Sequence, residues 1–186
     1  AVSLRVPKER ESMTRELLQR PGAGVKIEGV FRKGAGTPSP LGGSWPMFRG
    51  PDGDNIAKEG VPLADAWGPS GPKVLWSVAL GEGYAGPAVK DGRVYLHDYD
   101  ETERADALRC QSLDDGRELW RRSYQVDVKR NHGISRTVPA VSGRHVVTLG
   151  PKCHVLCADA ITGDFIWGMD LPKEQGTKIP LWYAGQ

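Results

Sequence analysis

The sequence predicts an all-β architecture of repeated four-stranded antiparallel units, and three observations carry that expectation. Glycine (24) and proline (14) together make up about a fifth of the 186 residues, above a usual share of about 12%, which favours a turn-dense sheet protein. From Trp45 onward the chain falls into short runs divided by turn dipeptides. Those runs then recur at a regular period.

Residues 1–44 differ in character from the rest. Glu9 to Arg20 reads as a short helix with Met13, Leu17 and Leu18 on one side, ended by Pro21-Gly22. The stretch after it has many breakers and little periodicity, and reads as a linker to something upstream. Downstream come KVLWSVAL (73–80), PAV (87–89), RVYLHDY (93–99), ALRCQSL (107–113), ELWRRSY (118–124), VPAV (138–141), HVVTLG (145–150), CHVLCADA (153–160) and DFIWGMDL (164–171). Each is of strand length. Asp91-Gly92, Asp115-Gly116, Ser142-Gly143 and Thr162-Gly163 lie between them, dipeptides that supply positive φ in tight hairpins. No helical period intervenes, which excludes a βαβ fold. The expected strands are 87–89, 93–98, 106–113 and 117–124 in one sheet, and 138–141, 145–149, 153–159 and 164–170 in the next.

The recurrence is specific. LRCQSLDDGRELW (108–120) and VLCADAITGDFIW (155–167) align without a gap at an offset of 47, placing Cys110 on Cys157, Gly116 on Gly163 and Trp120 on Trp167. Upstream, GPAVKDGRV (86–94) matches VPAVSGRHV (138–146), with Pro87-Ala88-Val89 on Pro139-Ala140-Val141. Trp76 lies 44 residues before Trp120. Spacings of 44 and 47 fit one four-stranded blade of a β-propeller, whose known repeats run about 40–50 residues.

The pattern A-x-D-x-x-T-G-x-x-x-W, preceded by P-x-V-x-D-G-x-V-Y, resembles the PQQ-like repeat of quinoprotein alcohol dehydrogenases and of BamB-like outer-membrane assembly lipoproteins. The second copy carries Asp159, Thr162, Gly163 and Trp167 at the matching places, with Cys157 for the Ala. In the first copy Ser112 replaces the Asp and Asp115 the Thr, leaving Gly116 and Trp120 as strict matches. WPMFRGPDGDNIAKEG (45–60) is similar to the start of the propeller in BamB-like bacterial proteins. The resemblance implies a partial β-propeller over 45–186, about two to three four-stranded antiparallel blades of an eight-bladed ring. Eight blades of about 45 residues need roughly 360, so the chain is expected to be an arc of a larger ring. It also implies that Trp76, Trp120 and Trp167 pack on neighbouring blades. Burying about 200 Å² of such a side chain is worth at most about 5 kcal/mol.

Other motifs have plainer readings. Gly81, Gly83 and Gly86 spell G-x-G-x-x-G after a run of strand length, but Asp91-Gly92 turns the chain again where a dinucleotide site needs a helix, so the glycines read as a turn leading into a blade. Cys153 and Cys157 on one strand share a face about 13 Å apart with His154 pointing away, which suits a blade core and neither a disulfide nor a metal centre. Asp98, Asp100, Glu101, Glu103 and Asp106 lack EF-hand spacing and read as a solvated loop. The loop KRNHGISR (129–136) is the candidate ligand-binding segment: Arg130, Asn131, His132 and Arg136 offer donors to an anion or carbonyl near a propeller's channel, against the plainer reading of a structural loop with Asn131 capping a turn.

The 25 basic and 23 acidic residues are interspersed, so no nucleic-acid or membrane-surface partner is expected. No run of 18 apolar residues exists to span a bilayer; with Ala1 first, any signal or anchor is expected upstream. Three cysteines do not make a disulfide framework. Two function classes follow from the resemblance. One is an extracytoplasmic scaffold that binds other envelope proteins and has no catalytic residue or cofactor. The other is part of a dehydrogenase that oxidises an alcohol or sugar with PQQ and calcium. The absence of adjacent cysteines favours the scaffold.

Overall fold

The computed structural model describes residues 24–58, 60, 62, 64–129, 134–180 and 184. The helix expected over 9–20 lies outside them.

Two antiparallel sheets follow each other along the chain as two propeller blades. Blade 1 is β3 (Ala88–Lys90), β4 (Arg93–Asp100), β5 (Ala105–Ser112) and β6 (Glu118–Gln125). Blade 2 is β7 (Ala140–Ser142), β8 (His145–Leu149), β9 (His154–Asp159) and β10 (Phe165–Asp170). The hairpin glycines have the expected positive φ, as at Gly92 (70°) and Gly143 (54°). A five-residue helix α1 (Leu171–Gln175) follows, its first turn capped by the Asp170 carboxylate accepting from the Lys173 N–H.

Blade 1 has two strands more than expected. The stretch read as a linker contains β1 (Val30–Lys33), which pairs outside β6, and β2 (Ser44–Trp45), which pairs inside β3, so the sheet runs β1-β6-β5-β4-β3-β2. The physical reason is an open edge: β6 presents a row of backbone groups that a short extended segment satisfies whatever its side chains. Conversely, 73–80 was expected to be a strand and makes no ladder. It lies extended along the other face of blade 1, held by the Trp76 indole N–H donating to the Leu113 carbonyl (2.9 Å) and by Arg109 donating to the Ala79 carbonyl (3.0 Å). Its propensity is that of a strand, but propensity does not supply a partner, and it joins neither sheet.

The core lies between the blades. Strand alternation turns Tyr95, Tyr99, Leu108, Cys110, Trp120 and Tyr124 of blade 1 toward Val141, Val146, Leu156 and Ala158 of blade 2, and all are buried in one cluster.

Candidate functional site

The repeat residues form seats. In blade 2, the Asp159 carboxylate accepts from the Ile161 and Thr162 N–H groups (both 2.9 Å) and pairs with Arg144 (2.8 Å), while Thr162 Oγ1 donates to Asp164 (2.7 Å). Partial burial opposes its charge, yet these backbone donors and Arg144 hold the Asp159 carboxyl below the usual range. The turn so shaped ends in Gly163, with φ 77°. A Cβ there would lie 2.7 Å from the Trp120 ring, and one at Gly116 (φ 69°) would lie 2.5 Å from the Trp76 ring. Each tryptophan thus covers the glycine turn of the next unit. Trp167 covers no such turn among the described residues and is 42% exposed.

The two lead-in segments meet edge to edge. Gly83 bridges Ser135 in parallel, the Tyr84 N–H donates to the Ser135 carbonyl (2.7 Å), and the Ile134 N–H donates to Glu82 (3.0 Å). Gly81 and Gly83 belong to this seam: a Cβ at either would collide with the backbone of Tyr99 or Ser135. Beside it, the Val141 N–H donates to the Pro46 carbonyl (2.8 Å), so the segment after β2 ties the inner strands of both blades. Between these parts opens a groove of about 720 Å³ lined by Trp45, Phe48, Tyr84, Pro87, Arg136 and Val138, among others. Tyr84 (75%) and Phe48 (55%) are exposed, and Arg136 is half-buried at its wall. Of the candidate loop, Arg136 is therefore in the groove; Arg130, Asn131 and His132 lie outside the described residues. Sequence reasoning passed over Trp45, Phe48 and Tyr84 as a site, because they come from two distant segments, 45–48 and 84, that only the tertiary fold brings together.

Only the middle of the acidic cluster, Glu101 and Glu103, is in the hairpin turn. Asp98 and Asp106 lie within strands and are buried, since the hairpin closes only after Asp100. Asp98 pairs with Arg109 (2.9 Å) and accepts from the Gly81 N–H (2.8 Å); Asp100 faces Arg121 (3.6 Å), and Glu103 pairs with Arg32 (2.6 Å). Asp106 accepts from Tyr124 (2.5 Å) and lies 2.7 Å from His97, whose other nitrogen is 2.9 Å from Thr137 Oγ1. This buried chain has the residue types of a nucleophilic triad. It has no access to substrate, because Thr137, His97 and Asp106 are all under 5% exposed. One signal for it was present: period-two alternation puts His97 on the same face as Tyr95 and Tyr99.

The cysteines are buried free thiols, and burial pushes Cys110 up to about 12, which leaves it inert. Cys153 is not on the strand with Cys157 but in the turn before β9, at φ 62°. Calcium in a quinoprotein takes roughly six to eight converging oxygens. The described acids are instead divided among separate arginine and histidine partners, and among the described residues no three His, Cys, Asp or Glu side chains are grouped to hold a metal. The described acids do not converge as calcium ligands do.

No curated protein matches the chain. A family model described as outer membrane protein assembly factor BamB matches residues 34–182, starting just after β1 and running through both blades. Repeat, topology and match agree, and the chain belongs to this PQQ-like, BamB-like repeat family.

Proposed function

We propose that the protein is an extracytoplasmic scaffold that binds other envelope proteins through the groove at the blade seam. The observation that carries this reading is the exposure of Tyr84 and Phe48 beside Trp45 and Arg136 on two tied sheets. Aromatic side chains and arginine are what protein interfaces concentrate, and large aromatics left in water on a rigid support mark a contact surface. The family description, an assembly factor for outer-membrane proteins, supports the same reading. Among the described residues no helix is long and apolar enough to cross a membrane.

The test is a photo-crosslinking amino acid at Tyr84 in intact cells. Discrete protein adducts are expected, and Trp45→Ala or Arg136→Ala should reduce their yield about tenfold, as loss of an interface anchor does. A parallel arm supplies PQQ and calcium and follows reduction of an electron acceptor over alcohols and aldoses. Turnover there, or a Tyr84 probe that captures no protein, overturns the scaffold reading.

A further inference from the structure

His97 sits on β4 in the face that blade 2 covers, and its two ring nitrogens have partners on different blades. On one side Nδ1 lies 2.9 Å from Thr137 Oγ1, in the segment leading into blade 2. That hydroxyl has a single proton, and it donates it to the Leu149 carbonyl at 2.6 Å. Thr137 can therefore only accept from the ring, and Nδ1 carries a hydrogen. On the other side Nε2 lies 2.7 Å from Asp106 Oδ1. The second oxygen of Asp106 accepts the Tyr124 hydroxyl, whose proton is held firmly because burial, then the charge of Asp106, raises its pKa well above the ordinary value. A carboxylate accepting on both oxygens requires hydrogen on Nε2 as well.

We propose that His97 is a proton-operated latch between the two blades, closed while the ring carries both hydrogens and opened when alkaline conditions remove one. Doubly protonated, the ring donates to Asp106 within blade 1 and to Thr137 of blade 2, and through Thr137 it reaches the end of β8. With one hydrogen lost, either the bond to blade 2 or the bond to Asp106 fails.

The surroundings support the charged form. Burial opposes it, but the charge of Asp106 and its hydrogen bond outweigh burial, Asp98 adds a smaller contribution, and the pKa of His97 is raised. Asp98 is itself matched by Arg109 on β5. Tyr124 faces the pair from β6. From blade 2, the ring of His154 meets Tyr124 edge-on at 5.6 Å, and its Nε2 is 3.9 Å from Asp170. The sign follows from linkage: a raised pKa means that the latch contributes fully below the histidine's unfolded pKa and is lost as pH rises through the folded one.

The test uses the intact chain with ¹⁵N-labelled histidine. Both His97 nitrogens should be protonated at neutral pH. On alkaline titration the Trp120 indole signal, which reports the seat on Gly163, should move in the same step as His97, and the melting temperature should fall across that interval. Thr137→Val keeps the shape and removes the acceptor. It should lower the His97 midpoint and at least halve the fall in melting temperature. One bare His97 nitrogen at neutral pH overturns the proposal, and that reading needs no variant. So does a His97 titration that leaves Trp120 and the melting temperature unmoved, or a Thr137→Val titration identical to wild type.

Discussion

The same cross-strand row occurs twice in this molecule, in opposite surroundings. In blade 1 it is Tyr95–Cys110–Trp120, each residue opposite the next, and all three are at most 2% exposed beneath blade 2. In blade 2 it is Val147–Cys157–Trp167, on the face turned away from blade 1, where Trp167 is 42% exposed. Sequence alone makes the two rows equivalent. What separates them is a glycine turn: Gly163 receives Trp120, and no described residue plays that part for Trp167. The repeat motif thus specifies half of a contact, and the energy appears only when the other half arrives from the neighbouring unit.

The comparison is broken most severely at its buried end. Trp120→Ala should cost about 3–5 kcal/mol in denaturant unfolding, the usual range for emptying a buried tryptophan site. Trp120→Phe should cost far less, because the indole Nε1 is buried with no hydrogen-bond partner among the described residues and nothing polar is lost with it. A loss under about 1 kcal/mol for the alanine variant would mean that the seat is not a stabiliser. Next in size is the seat itself. Gly163→Ala combines about 1–2 kcal/mol for a left-handed backbone with about 1–3 kcal/mol for overpacking against Trp120. Gly143→Ala, at φ 54° with open space around it, should show the backbone part alone, so the difference between the two melts isolates the contact. The smallest effect belongs to the exposed row. Trp167→Ala should change unfolding free energy by less than about 1 kcal/mol in denaturant unfolding, since a half-exposed tryptophan contributes little to its own blade.

Much of the fold was legible because hairpins are local. Eight blade strands follow from turn dipeptides and alternation, to within a residue or two at most ends, and the 47-residue offset pairs Trp120 with Trp167 before any coordinate is known. Illegible were the pairings made across distance. β1 is four residues among glycines, with nothing in VFRK to name β6 as its partner, and KVLWSVAL has every local mark of a strand but joins no sheet. Asp98 and Asp106 misled because charge normally marks the surface; their burial depends on Arg109 and on His97 with Tyr124, and such pairing is a tertiary fact. Of the groove, Arg136 alone was marked in advance, since loops on rigid scaffolds attract attention and scattered aromatics do not.

The strand β1 has a consequence for the order of assembly. Lys33 lies opposite Trp120, so the outermost strand of blade 1 emerges during synthesis roughly ninety residues before its partner exists, a long wait but an inexpensive loop to close, because closure entropy grows only with the logarithm of length. Blade 1 can therefore be finished from the outside by its oldest segment as soon as β6 has emerged, whereas the Trp120 seat waits about forty residues longer for Gly163. In that interval the nascent chain presents Trp120 without its cover, a window in which a chaperone has the most to gain from binding it.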